Sequence, residues 1–235
     1  MNKRVAIMQS NYIPWKGYFD MINMVDEFIL YDDVQYTRRD WRNRNKIKTE
    51  KGSQWLTIPV EVKGKYHQKI KDTIISDYGW PKVHWKTILF NYSKAKYFND
   101  YKDQFEELYL GCEEKYLSDI NFRFISSINS ILGITTKLSW SMDYTLTDVR
   151  SSEKLIQLYK QTDASIYFSG PKAKDYMDLE LFKSQNIPIE WMDYSIYKPY
   201  TQQFKSFDHY TSILDLIFNT GKNAKNYMKS FSNKK

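Results

Sequence analysis

RVAIMQSNYIPWKGYFDMINMVDEFILYDD, residues 4–33, decides how the rest of the chain is read. Residues 4–8 form a short apolar run of the kind that makes a buried opening strand. Pro14 and Gly17 punctuate the loop after it. Residues 18–25 can form a helix with Phe19, Ile22 and Val25 on one face. Residues 27–32 form a second strand. Each strand empties into a polar, aromatic loop, first QSNYIPWKGY (9–18) and then DDVQYTRRDWRNRNKIK (32–48). Open α/β sheets present a ligand crevice in this way, at the carboxyl ends of their strands.

Outward from that start, residues 54–60 alternate Leu56, Ile58 and Val60 against Gln54, Thr57 and Pro59, a strand near an edge, with 69–76 as its candidate partner. Residues 82–133 read as a helical segment. Apolar residues recur every three to four positions in 82–92, 98–110 and 116–132, and Gly133 fits a helix stop. Strand–helix alternation then resumes. The strands are 137–142, 165–168 and 188–192. The helices are 152–161, with Ser152 as its cap, 179–185 and 210–219, and His209 falls in the first turn of the last. The expected fold class is α/β, a mostly parallel, Rossmann-like sheet with a nucleotidyltransferase-like start and a helical middle segment. Residues 1–235 make one domain, with 223–235 a flexible tail.

The 235 residues carry a net charge of +7 and 17% aromatics. A basic surface suits an anionic partner, such as a nucleotide sugar or an acidic carrier protein. Patterns for RNA-binding modules and zinc fingers are absent, so nucleic acid is not expected. Mean hydropathy is −0.66, and no apolar run reaches the roughly 20 residues that cross a bilayer. No membrane insertion is expected. A single cysteine, Cys112, fits a reducing cytoplasm. Beside Glu113 and Glu114 it makes a poor nucleophile.

The first loop shares the layout of nucleotidyltransferases with an HxGH motif. Trp15 and Tyr18 stand where the phosphate-binding histidines would, and neither carries positive charge. A helix N-terminus can still hold an anion through backbone N–H groups, helped by Lys16. Gln9, Tyr12 and Trp15 are the candidate binding residues here. In the second loop Asp32 is a candidate for a sugar or ribose hydroxyl and Asp33 for proton transfer. Gln35, Arg38, Arg39, Asn43 and Arg44 are candidates for polar and phosphate contacts, within a cluster that also holds Arg42. Trp41 would cover a ring. No histidine lies near the aspartates at ligand spacing, so no metal site is expected. His84, in PKVHWKTI, is the first choice for a general base. SGPKAKDYMD, 169–178, brings Ser169, Gly170, Lys174 and Tyr176 to the same sheet edge. Gln202, before the last helix, would close the pocket.

With those residues in view, the chain resembles the WbqC-like protein family. VAIMQSNYIPWKGYFDMIN, FILYDDVQYTRRDWRNRNKIK, QWLTIPV, VHWKTI, YFSGPKAKDYMD, YTQQF and SILDLIFNTG follow its pattern in order, with Ser10 where the family commonly has proline. The resemblance implies a bacterial enzyme of surface-polysaccharide (O-antigen) biosynthesis. The expected activity is acyl or aminoacyl transfer that forms an amide on a nucleotide-linked amino sugar. No tightly bound cofactor is expected, and a phosphopantetheine thioester on an acidic acyl carrier protein would be the donor. Two alternatives stand beside it. One is a metal-dependent glycosyl- or nucleotidyl-type transferase, and the other is a non-catalytic subunit that binds a nucleotide or carrier.

Overall fold

A computed structural model describes residues 2–232. In chain order its elements are β1 (Arg4–Met8), α1 (Lys16–Asn23), β2 (Glu27–Leu30), β3 (Arg44–Thr49), β4 (Gly52–Thr57), α2 (Trp80–Tyr92), α3 (Phe98–Leu110), α4 (Leu117–Leu132), β5 (Lys137–Trp140), α5 (Ser151–Lys160), β6 (Ile166–Ser169), α6 (Leu179–Ser184), β7 (Ile189–Trp191) and α7 (Ile213–Thr220).

Five strands form one parallel sheet in the order β5-β2-β1-β6-β7. Its central strands are apolar on both sides because both faces are covered. Ala6, Phe28, Leu30 and Phe168 pack toward α1, the helical segment and α7. Val5, Ile7, Ile29 and Tyr167 face the opposite way, against Leu155 and Leu158 of α5 and Phe182 of α6. Counted along the chain, the sheet strands run 3-2-1-4-5. The order reverses between β1 and β6, and a crevice opens outside the strand ends at such a point.

The polar hairpin was the hardest part to read. Residues 54–60 were expected to pair with 69–76, but β4 pairs antiparallel with β3, with Lys46 opposite Trp55. β3 hides in a cationic run because Arg44, Lys46 and Lys48 alternate with Asn45, Ile47 and Thr49, so its inward row holds one aliphatic side chain. Residues 69–76 contain a 3-10 turn, Ile70–Asp72, and an isolated bridge from Val60 to Ile75.

Three smaller expectations also change. Ser152 lies inside α5, where its hydroxyl accepts from the Asp178 N–H. The turn is closed instead by Glu153, which accepts from the Arg150 N–H at 2.9 Å. His209 precedes α7, and the Ser212 hydroxyl caps that helix. The tail expected to be flexible from residue 223 is docked. Gly221–Tyr227 is a 3-10 helix, and the buried Asp20 carboxylate accepts N–H bonds from Lys229 (2.8 Å) and Ser230 (2.7 Å). Residues 233–235 of that expected tail lie outside the described residues.

Candidate functional site

A cavity of about 770 Å³ sits where the strand order reverses. Met8 and Gln9 leave β1, Tyr31 leaves β2, and Ser169 and Gly170 leave β6 to form its floor. Asn11 and Trp15 come from the first loop, and Trp41, Arg42 and Asn45 from the run into β3. Ser151 of α5, Lys172, Tyr176, Tyr194 and Tyr210 complete the walls.

The two polar loops are stitched together beneath this cavity. Asp32, fully buried, accepts from the Ser10 N–H (2.9 Å) and the Ser118 hydroxyl (2.5 Å). Asn121 of α4 donates to the Ser10 hydroxyl and to the Arg42 carbonyl, both at 2.9 Å. The Tyr12 N–H donates to the Trp41 carbonyl at 3.1 Å. Asn45 donates to the carbonyls of Tyr12 and Ile13. The helical segment thus holds both loops in one register.

Arg42 gains most from this. Its guanidinium donates to the Asn11 side-chain oxygen and the Ser10 carbonyl, and Asp40 lies 3.6 Å away. The side chain is 11% exposed, yet its Nε has no partner. A buried donor left unpaired costs free energy until an acceptor arrives. Among the described residues, Arg42 and Lys172 are the cations of the lining and no carboxylate joins them.

The first turn of α1 is not open to a ligand in the way the sequence suggests. A Cβ at Gly17 would lie 2.3 Å from the Trp15 indole, so the ring folds over that turn and only glycine leaves room for it. Trp15 also meets Tyr194 and Tyr210, with centroids 5.3 and 5.8 Å away. Lys16 is buried beside Tyr197 and Tyr200. Burial lowers its pKa to about 8, against the pull of Asp20.

Of the residues expected at the site, the cavity brings together Gln9, Trp15, Trp41, Ser169, Gly170 and Tyr176. The others do not line it. Tyr12 is buried, with its hydroxyl 2.9 Å from both His84 Nδ1 and the Tyr109 hydroxyl. Asp32 is internal, as described. Asp33 pairs with Lys69 and Lys71, each at 2.9 Å. Burial alone would raise its pKa, but those lysines hold it below the usual carboxylate range. Gln35 and Arg38 line a separate groove. Arg39 accepts through its carbonyl from Arg44, and Arg44 lies over Trp55. Asn43 donates to the Ile58 carbonyl. Lys174 lies over Trp191, because positions two apart on a 3-10 turn point to different sides, and Lys172 takes the cavity side. Gln202 bonds Asp215 and the Asp208 carbonyl.

His84, expected as a base, is 4% exposed and held between Tyr12 and the Thr57 carbonyl. Burial lowers its pKa to about 4, although the Thr57 bond opposes this. A ring that stays neutral in the fold but protonates near pH 6.5 when unfolded binds fewer protons folded, so its contribution is full above that value and declines as pH falls toward 4. Wild type should lose roughly 3 kcal/mol more than His84→Gln between pH 7 and 4. Parallel urea titrations would show it, and identical pH profiles would refute it. Burial likewise pushes the Cys112 thiol up to about 12, helped by Glu114, which removes it as a nucleophile.

Among the lining residues given no individual role by the sequence are Asn11, Arg42, Asn45, Lys172, Tyr194 and Tyr210. Asn11 and Arg42 stood inside the two diagnostic loops. The tyrosines carry no local signal, since only the tertiary fold brings 194 and 210 to Trp15.

A model described as the WbqC-like protein family matches residues 9–227. The chain is similar to the uncharacterized protein Rv1507c of Mycobacterium tuberculosis, at 49% identity over 227 residues, covering 97% of this chain and 98% of that one. No solved structure matches the chain.

Proposed function

Because the chain belongs to the WbqC-like protein family, we propose that it is a transferase that modifies an amino sugar held through a phosphate or nucleotide group. The sheet reads as Rossmann-like, since its 3-2-1-4-5 order and its crevice at the reversal are those of doubly wound nucleotide-binding folds. The observation that carries the reading is the cavity itself. About 770 Å³ suits a metabolite of nucleotide-sugar size, and its ionic groups are cations with aromatic walls. Arg42 and Lys172 take the phosphates, and the tyrosines cover the sugar. A cytoplasmic reaction is part of this reading, and among the described residues no helix is long and apolar enough to cross a membrane.

The reaction that fits is amide formation from a thioester. The amine of the sugar attacks the thioester carbonyl, the C–N bond forms, the C–S bond breaks, and the departing thiolate takes the amine's proton. Among the described residues neither imidazole nor carboxylate lines the cavity, so the protein contributes orientation and N–H donors for the oxyanion, with Asn11 a candidate. Metal-dependent glycosyl transfer through Asp32 and Asp33 finds no support, because the two carboxylates serve different protein partners. The lack of an imidazole or carboxylate among the described lining residues favours one other reading, a binding subunit without chemistry.

One assay separates these readings. The protein is incubated with nucleotide-linked amino sugars and an acylated carrier protein, with and without EDTA, and products are weighed by mass spectrometry. The transferase yields the amide mass at the same rate in EDTA. Tight sugar binding with no product under any donor supports the binding subunit and ends the transferase reading.

A further inference from the structure

Two tryptophans face water at the rim of the cavity. Trp41 is 39% exposed and Trp55 37%, and their rings lie 5.2 Å apart at 42°. Trp41 lines the cavity. Trp55 continues from it along the outward row of the hairpin, opposite Lys46. Leaving two such large apolar surfaces half in water forgoes burial that the fold uses elsewhere, and paired exposed aromatics mark recognition surfaces.

The charges beside them narrow the ligand. The Arg44 guanidinium carbon lies 4.1 Å from the centre of the Trp55 ring and the Lys46 ammonium 5.2 Å. Neither cation makes an ion pair with a carboxylate among the described residues. Arg44 also keeps a buried Nε without a partner. A sugar ring alone would use the tryptophans and leave both cations without an anion. A flat ring attached to phosphates uses all four groups.

We infer that the Trp41–Trp55 ledge is a base-binding subsite for a nucleoside diphosphate, whose phosphates run past Lys46 and Arg44 to Arg42 at the cavity and whose appended sugar enters it. This rests on the sugar-transfer reading above and names the form in which the sugar arrives. Trp55 and Lys46 do not line the cavity, so the subsite extends the site rather than restating it.

Calorimetric titration of UDP, dTDP, GDP, CDP and ADP into the wild type, Trp55→Ala, Trp55→Phe and Lys46→Ala tests it, with pyrophosphate and glucosamine 1-phosphate as probes that lack a base. At least one nucleoside diphosphate should bind roughly tenfold or more tightly than pyrophosphate. Trp55→Ala should lose most of that margin and Trp55→Phe should keep it. Pyrophosphate should be indifferent to Trp55 and weakened by Lys46→Ala. Equal affinity of Trp55→Ala and wild type for every nucleotide overturns the ledge, as does the failure of all five nucleotides to bind better than pyrophosphate. If glucosamine 1-phosphate binds through Arg42 while no nucleotide binds, the ledge falls and the sugar reading survives. If neither class binds, both fall.

Discussion

Arg42→Ala weakens binding of a phosphorylated sugar by about a hundredfold, the loss of roughly 2–3 kcal/mol carried by hydrogen bonds to a charged group. The expectation follows from how this guanidinium is held. It is fixed by Asn11 and the Ser10 carbonyl in a loop that Asp32 and Asn121 brace from below. The ligand therefore meets a cation already in place, and little side-chain entropy is lost on binding. Arg42→Lys should recover little, because an ammonium on a flexible stem cannot reproduce the planar fork. Calorimetry with glucosamine 1-phosphate measures both variants, and an unchanged affinity in Arg42→Ala would remove the cavity from the function.

The largest loss of stability is expected at Asp215. This fully buried carboxylate accepts from Tyr92 at 3.0 Å, Tyr200 at 2.7 Å and Gln202 at 2.7 Å. Tyr92 in turn accepts from the Lys48 N–H, so α2, β3, α7 and the segment before α7 meet at a single side chain. It also stands in the first turn of α7, where a negative charge is favoured. Asp215→Ala leaves the buried Tyr92 and Tyr200 hydroxyls without their acceptor beside Lys48, at a cost of about 3–5 kcal/mol. Asp215→Asn keeps an acceptor and should recover part of this. Urea midpoints with unchanged slopes would report it, and a loss below about 1 kcal/mol would contradict the structural role.

The fold was legible where one physical signal dominated. Residues 4–8, 27–30 and 98–110 are apolar at the right period, and Gly133 takes the left-handed conformation (φ 63°) that its helix stop requires. The convergence of the first loop, the arginine run and the turn after β6 could also be read, because strand ends of a parallel sheet share one edge. The choice among neighbours could not. Arg42 rather than Arg44 is settled by the turn that precedes β3, and Lys172 rather than Lys174 by which side of a 3-10 turn faces the cavity. That depends on pairing partners tens of residues away. His84 and Asp33 drew notice for their chemistry, but a titratable side chain reveals nothing of its surroundings until burial and ion partners are known.

Asp20 waits almost the length of the chain for its ligands. The donors that satisfy it are the Tyr197 hydroxyl and the N–H groups of Lys229 and Ser230, so α1 buries its carboxylate only once segments 177 to 210 residues further along have folded back onto it. Contacts this distant in sequence are slow to form. A change that displaces residues 229–230 therefore acts on the crossover between β1 and β2, and through it on the pocket.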